Sequence, residues 1–164
     1  MQAAGVAEWL GSHPVAAVHA SPRRRTMETA MIIASAVGGE VAQAEALDEI
    51  DFGRWNGRSF AELEDDPLWS AWNRHRSIAS TPGGETMAQA VERTVQHLES
   101  LAAAQPGQAL LCVTHCDIIR GTLAHYLGLS LDNIFRFDID PGSISTIEIG
   151  ADGTRVTRIN EVAA

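Results

Sequence analysis

The stretch ALLCVTHCDIIRGTLAHYLG, residues 109–128, decides the fold class. Its first part, ALLCVT, is a short and almost continuous apolar run, which is typical of a strand buried inside a parallel sheet. The residues from about Asp117 to Leu127 predict a helix that ends at Gly128. His115 stands at the junction of the two. A strand that leads directly into a helix, with a polar residue between them, is the building unit of α/β proteins.

The same pattern of elements occurs on the N-terminal side. Residues 15–20 (VAAVHA) form a second apolar run, and a helix is predicted from about Arg23 to Val37. An amphipathic helix at residues 2–11 precedes this pair, and residues 41–47 predict a further strand. From Thr86 to Ala104 the apolar residues recur at spacings of three and four, which predicts a long helix.

The C-terminal part favours strands. Residues 134–139, 143–149 and 154–160 each predict one, and Ala151-Asp152-Gly153 between the last two is typical of a hairpin turn. The sequence therefore predicts a three-layer α/β/α domain with a mostly parallel sheet and antiparallel C-terminal strands.

Length and composition agree with one ordinary globular domain. The chain has 164 residues, with 45% hydrophobic residues and a mean hydropathy of -0.04, so we expect a single domain over residues 1–164. No apolar stretch is long enough to cross a membrane. The twelve basic residues are all arginine, which excludes mechanisms that depend on a lysine of this chain.

Charge and cysteine content narrow the classes of partner. The formal net charge of -9 argues against nucleic acid, since such partners require a basic face. Cys112 and Cys116 are too few for a disulfide framework and lack companion ligands at zinc spacing. No leader-like segment is found at the N-terminus, so we expect a reduced, cytoplasmic setting.

Three places at the predicted strand ends carry residues suited to chemistry. Arg23, Arg24 and Arg25 follow the first strand at a helix N-terminus, where the helix dipole disfavours cations. A guanidinium turned into a pocket there would bind an anion; a solvated charged face is the alternative. His115 is either a neutral core histidine or a partner of that anion. Glu49, near bulky aromatics, is either a proton donor with a raised pKa or a solvated loop carboxylate.

Five blocks of the chain, in order, resemble the histidine phosphatase superfamily, in its phosphoglycerate mutase-like branch. They are QAAGVAEWL at residues 2–10, ASPRRRTMETAMIIA at 20–34, LDEIDFGRWNG at 47–57, TPGGETMAQAVERT at 81–94 and VTHCDIIRG at 113–121. The resemblance places the conserved arginine of the family at Arg25, its acid at Glu49 and its second pocket histidine at His115.

The resemblance implies a site without metal or organic cofactor. Arg25 would grip the phosphoryl oxygens, His115 would hydrogen-bond them, and the chain around Cys116 would approach the phosphate. Glu49 would protonate the leaving oxygen and then activate water. The implied partner is a phosphorylated small molecule or inorganic phosphate, with no nucleic acid and no membrane.

The departures from the family pattern are as informative as the matches. The family's attacking histidine belongs to an R-H-G-[E/Q]-T motif on a first, central strand, and no R-H-G string occurs in these residues. We therefore expect the nucleophile and the first central strand to be missing, which makes the domain N-terminally incomplete. In addition, Cys116 and Asp117 replace two glycines of the family pattern.

Three explanations of this departure stay open. The sequence is a piece of an active phosphatase, a degenerate relative that binds phosphate or a protein, or a chain that recruits a strand from another copy in a homo-oligomer. The sequence predicts phosphomonoester hydrolysis at family level, with this chain inactive. The alternatives are a non-catalytic phosphate- or protein-binding relative and a phosphoglycerate mutase-type phosphotransferase. Residues 50–85 predict either an apolar substrate subsite or a packed lid with a solvated arginine rim.

Overall fold

The computed structural model describes residues 2–162, which form a parallel sheet, an antiparallel strand pair and covering helices. The predicted domain limits, 1 and 164, lie just outside the described residues. The helices are α1 (Gln2–Leu10), α2 (Arg24–Val37), α3 (Phe60–Leu63), α4 (Pro67–Arg74), α5 (Met87–Ala104) and α6 (Cys116–Tyr126). The strands are β1 (Ala17–Ala20), β2 (Val41–Gln43), β3 (Leu110–Val113), β4 (Ser143–Gly150) and β5 (Gly153–Val162).

The parallel sheet has the strand order β2-β1-β3. Its register pairs Val18 of β1 with Val41 of β2 and with Leu111 of β3. The central strand β1 is short and apolar, and its alternate residues Val18 and Ala20 are buried beneath α2. Because all three strands run in the same direction, the segments that follow them meet at one edge of the sheet.

The two C-terminal strands form a sheet of their own. β4 and β5 pair antiparallel, and the register of the pair shifts around Thr146. Gly153 begins β5 with a φ of 114°, which confirms the predicted glycine turn. Within residues 2–162, β3 is bonded to β1 alone, and its four residues are only partly buried. The absence of a first central strand stays a prediction.

One predicted strand is wrong. Residues 134–139 were expected to be extended, but Leu131–Arg136 forms a 3₁₀ helix. Ser130 caps its start, since its side chain accepts a hydrogen bond from the backbone amide of Asp132. Asp132 in turn accepts two bonds from Ser77, so the segment is held in a turn while Ile134 enters the core.

The segment between β2 and α5 forms a lid over the edge of the sheet. α3 begins with a capping box between Ser59 and Glu62, and Asp66 caps α4. The buried rings of Trp55 and Trp72 pack against α5 and α6, which fixes the lid on the domain. No helix within residues 2–162 is long and apolar enough to span a bilayer.

Candidate active site

The residues after β1, β2 and β3 converge at one point. Nη2 of Arg25 lies 2.7 Å from Nδ1 of His115 and 3.1 Å from Oε2 of Glu49. The same carboxylate oxygen lies 3.5 Å from Nδ1 of His115. The structure thus brings together the three side chains that the sequence singled out, although they are separated by up to 90 residues in the chain.

The three consecutive arginines point to three different partners. Nε of Arg23 binds Oδ1 of Asp48 at 2.7 Å, and Nε of Arg24 binds Glu28 one turn along α2 at 2.7 Å. Arg24 is fully on the surface, whereas the guanidinium of Arg25 reaches His115. Only Arg25 of the three therefore contacts both the histidine and the proposed acid.

His115 is buried, with 4% of its surface exposed, and both of its ring nitrogens have partners. A guanidinium can only donate, so Nδ1 accepts from Arg25 and the ring proton is on Nε2. Nε2 then donates to Oγ of Ser21 at 2.7 Å, and the Ser21 hydroxyl donates to Oδ1 of Asp48 at 3.1 Å. Burial, together with the nearby charge of Arg25, lowers the pKa of His115 to about 4. His115 is therefore buried and neutral, as the core alternative predicts, and its ring partners are side chains.

Asp48 is the end of this hydrogen-bond chain and is firmly held. Burial acts to raise its pKa, but hydrogen bonds from Arg23, from the Glu49 amide and from Ser21 outweigh that effect, so the pKa lies below its usual value. Ser21 and Asp48 contact the candidate site, and the sequence analysis did not single them out. Their one available signal was position, since Ser21 directly follows β1 and Asp48 directly precedes Glu49.

The pKa of Glu49 is shifted in the direction opposite to that of Asp48. Burial raises its pKa, with a smaller contribution from Asp117, while the Ile50 amide and Arg25 act in the other direction. A carboxyl group with a raised pKa retains its proton at higher pH and so is suited to act as an acid. Its backbone carbonyl accepts a bond of 3.1 Å from Arg93, a third residue that the sequence analysis did not single out. Arg93 also binds Glu85 and the Ala46 carbonyl, which holds the loop in place.

The start of α6 carries the two departures from the family pattern. Cys116 is exposed, and its Sγ donates to the Ile139 carbonyl at 3.4 Å; its predicted role at the phosphate stays a prediction. Asp117 is paired with Arg76 at 2.8 Å and with Arg120 at 3.3 Å. The carboxylate is therefore neutralised within the protein. Arg76 is 4% exposed, so the solvated arginine rim predicted as an alternative is wrong at this residue.

Two cavities border Glu49. The first, of about 440 Å³, is mainly acidic and lies between Asp48, Glu85 and Arg93. The second, of about 470 Å³, we call the aromatic cavity; besides Glu49 and Asp117 it is lined by Phe52, Trp55, Asn56, Gly57, Arg58, Phe60, Leu63, Trp69, Asn73, Arg76 and Phe135. Among residues 2–162 no group of three His, Cys, Asp or Glu is arranged to hold a metal ion.

The other histidines lie away from these side chains. His13 stacks on Trp9 with ring centroids 3.8 Å apart, and His19 packs edge-on against His97 at 5.8 Å. In the part of the chain that the structure describes, His115 is the one histidine whose ring contacts Arg25 or Glu49.

Comparisons with known proteins agree with this architecture. The family model described as histidine phosphatase superfamily (branch 1) matches residues 1–162. A bifunctional protein of Mycobacterium tuberculosis is 33% identical over 147 residues, which cover 88% of this chain and 40% of that protein. The chain thus spans less than half the length of this relative.

Two further proteins are similar over almost the whole chain. Phosphoserine phosphatase 1 of Hydrogenobacter thermophilus is 28% identical over 161 residues, which cover 97% of this chain and 76% of that protein. The solved structure of YhfR from Bacillus stearothermophilus superposes with a TM-score of 0.92 at 23% identity. It covers 98% of this chain and 81% of that one, and it establishes the shared fold.

Proposed function

The chain belongs to the histidine phosphatase superfamily, and we propose that its site serves phosphomonoester hydrolysis. Arg25 and His115 bind the phosphoryl group, and Glu49 protonates the leaving oxygen and then activates water. The observation that carries this proposal is the cluster of Arg25, His115 and Glu49, whose interacting atoms lie 2.7 to 3.5 Å apart. The phosphatase name of the Hydrogenobacter relative points in the same direction.

Phosphoryl binding changes the protonation of His115. In this structure Nδ1 presents a lone pair to Arg25, while Nε2 donates to Ser21. Nδ1 can donate to a phosphoryl oxygen only after it takes up a proton, and the negative charge of the phosphoryl group favours that uptake. The imidazolium and the Arg25 guanidinium then stabilise the charge that develops on the transferring group.

The nucleophile that attacks phosphorus is the one part of the mechanism that we do not assign to a residue of this chain. The family resemblance assigns it to a histidine in an R-H-G motif, and none of the six histidines here belongs to such a motif. We therefore propose that the nucleophile is not among these residues and that this chain alone does not turn over substrate.

The missing motif also favours a second candidate, a non-catalytic relative that binds phosphate through Arg25 and His115. Mutase-type phosphotransfer is the further alternative and needs the same nucleophile. For hydrolysis, phosphate binding and phosphotransfer alike, the proposed partner is a phosphorylated small molecule or inorganic phosphate. The thiols of Cys112 and Cys116 are both free, which supports a reduced, cytoplasmic location.

Calorimetric titration with inorganic phosphate and with vanadate tests the binding role. We expect Arg25→Ala to weaken binding by about tenfold or more, because a charge-assisted hydrogen bond contributes roughly 1.5–3 kcal/mol. Arg24→Ala is the matched control, since Arg24 contacts only Glu28 on the surface. Equal affinity of the Arg25→Ala variant and the unmodified chain would refute the phosphate site.

Hydrolysis of p-nitrophenyl phosphate tests the proposal that the nucleophile is not among these residues. We expect this chain to show the background rate. If it hydrolyses the substrate well, and changing His115 or Arg25 abolishes the activity, then a nucleophile is present after all and its identity must be sought among the other residues of the chain.

A further inference from the structure

The two neighbouring acids of the loop after β2 approach opposite nitrogens of the His115 ring. Glu49 is on the Nδ1 side, with its Oε2 atom 3.5 Å from Nδ1. Asp48 is on the other side, where its Oδ1 atom lies 3.8 Å from Nε2. The Ser21 hydroxyl bridges Asp48 and the ring. The proposed phosphate therefore meets the ring at Nδ1, and Asp48 supports it from behind.

The Ser21 hydroxyl is held in one orientation. Its Oγ accepts from Nε2–H of His115 at 2.7 Å and from the backbone amide of Arg23 at 3.4 Å. The hydroxyl proton is then directed to Oδ1 of Asp48, which is 3.1 Å away. Because Ser21 is completely buried, bulk water does not compete for these bonds. The bonds thus form a directed path from the ring to a carboxylate.

Asp48 is fixed at its backbone and at its side chain. The Leu47 carbonyl, directly before it, accepts a bond of 2.6 Å from the Thr114 hydroxyl. The Oδ1 atom of Asp48 accepts from Nε of Arg23 and from the Glu49 amide, each at 2.7 Å. Hydrogen bonds to a carboxylate favour its charged form. A negative charge is therefore held at a fixed distance from the His115 ring.

Asp48 is set apart among the charged and titratable groups around this ring. Those groups are Arg23 and Arg25 at the start of α2, Arg93 of α5, Asp48 and Glu49 of the loop after β2, and Cys116 and Asp117 of α6. Burial and the three arginines lower the pKa of His115, whereas the charge of Asp48 acts in the opposite direction. Asp117 is paired with arginines of its own, and Glu49 is the proposed acid for the leaving oxygen. A positively charged ring therefore has Asp48 as its fixed counter-charge.

We propose that Asp48 is a positioning residue of the phosphate site. Acting through Ser21, it keeps the proton of the free His115 ring on Nε2 and stabilises the imidazolium once a phosphoryl group is bound. Arg23 limits this effect, because its guanidinium pairs with the same carboxylate oxygen at 2.7 Å. The inference rests on the proposed phosphate site at Arg25 and His115, and it adds the group that supports proton uptake there.

The pH at which the His115 ring is half protonated, in the chain saturated with inorganic phosphate, tests the proposal. Imidazole ¹⁵N chemical shifts give this midpoint, and the spectrum of His115→Gln assigns the signal. Asp48→Asn keeps an oxygen at the Oδ1 position, where the three hydrogen bonds of Asp48 end, but it removes the charge. We expect this variant to lower the midpoint by at least about one pH unit, because an opposite charge within about 4–6 Å usually has an effect of that size.

Two variants distinguish this role from a general loss of structure. Arg23→Ala removes the competing cation and should raise the midpoint, in the direction opposite to Asp48→Asn. The Arg23 side chain is half exposed, so this change leaves the core intact, and Arg24→Ala, at a surface ion pair, is its control. Glu45→Gln is the control for charge, because Glu45 is an exposed carboxylate of the same acidic cavity as Asp48. Both controls should keep the midpoint of the unmodified chain.

A double variant tests whether Asp48 acts through Ser21. Ser21→Ala alone should also lower the midpoint, because it removes the acceptor of Nε2–H. Ser21→Ala/Asp48→Asn should lower it by less than the sum of the two single changes, since residues that act along one path are not additive. A decrease equal to that sum would show that Asp48 does not act through Ser21.

The outcomes separate this inference from the proposed function. If the unmodified chain does not bind inorganic phosphate, both are overturned together. If it binds phosphate but Asp48→Asn lowers the midpoint no more than Glu45→Gln does, the role of Asp48 is wrong while the phosphate site stands. A midpoint of Arg23→Ala that is not above that of Arg24→Ala would overturn the role of Asp48 as well.

Discussion

Replacing Ser21 with alanine tests the hydrogen-bond chain that fixes His115. Ser21 is completely buried, and its Oγ lies between Nε2 of His115 and Oδ1 of Asp48. Asp48 keeps Arg23 and the Glu49 amide as partners after the change, but Nε2–H loses its only acceptor. A buried donor without an acceptor costs about 1–3 kcal/mol. We therefore expect the free energy of unfolding to fall by about 2 kcal/mol.

Two measurements check this expectation. Urea denaturation gives the change in unfolding free energy, and imidazole ¹⁵N chemical shifts report which ring nitrogen of His115 carries the proton. Ser35→Ala is the matched control, because Ser35 is an exposed residue of α2 and should change stability by less than about 0.5 kcal/mol. If Ser21→Ala is no more destabilising than Ser35→Ala, or if the ring proton of His115 in the unmodified chain is on Nδ1, the assigned chain of donors is wrong.

Two other predictions concern buried charge. The pKa of His115 is about 4 in the folded protein, whereas the ordinary value for histidine is 6.5, so the unfolded chain binds a proton that the folded protein excludes. The contribution of His115 to the free energy of unfolding is fully present above pH 6.5, and about 3 kcal/mol of it is lost as the pH falls to 4. Denaturation curves at pH 7 and pH 4 should show this loss in the unmodified chain. The loss should be absent in the His115→Gln variant. Asp117→Leu should destabilise the protein by about 3 kcal/mol because it leaves the buried guanidinium of Arg76 without its carboxylate. The double variant Arg76→Leu/Asp117→Leu should be more stable in thermal unfolding than the sum of the two single destabilisations predicts. A double variant whose destabilisation equals that sum would contradict the pairing.

The sequence was sufficient for the parts of the site that depend on strand order. His115 and the run Arg23 to Arg25 were identifiable because each follows an apolar run, and parallel strands bring their carboxyl ends together. The resemblance to the family then selected Arg25 among the three arginines. The roles of Ser21 and Asp48 were not identifiable, since their hydrogen bonds join residues 94 and 27 positions apart and depend on burial.

The errors have similar physical causes. The strand predicted over 134–139 was wrong because the side chains of Ser130 and Ser77 stabilise a 3₁₀ turn there, and one of these residues lies in a distant segment. The solvated rim predicted for the arginines of residues 50–85 is wrong at Arg76, which is buried against a partner 41 positions away, whereas Arg54, Arg58 and Arg74 are exposed. Local patterns predict elements, whereas contacts between distant segments decide which polar residues are buried.

The proton on Glu49 links the two halves of the proposed site. In this structure the guanidinium of Arg25 is shared between Glu49 and His115. When Glu49 is protonated, as its raised pKa favours, the attraction that ties Arg25 to the carboxyl group is lost and the full charge of Arg25 can act on a phosphoryl group. Protonation of Glu49 thus prepares the acid for the leaving oxygen and frees the cation for the phosphate at the same time. Glu49→Gln, which mimics the protonated carboxyl, should therefore bind inorganic phosphate at least as tightly as the unmodified chain, and weaker binding by the variant in calorimetric titrations would contradict this coupling.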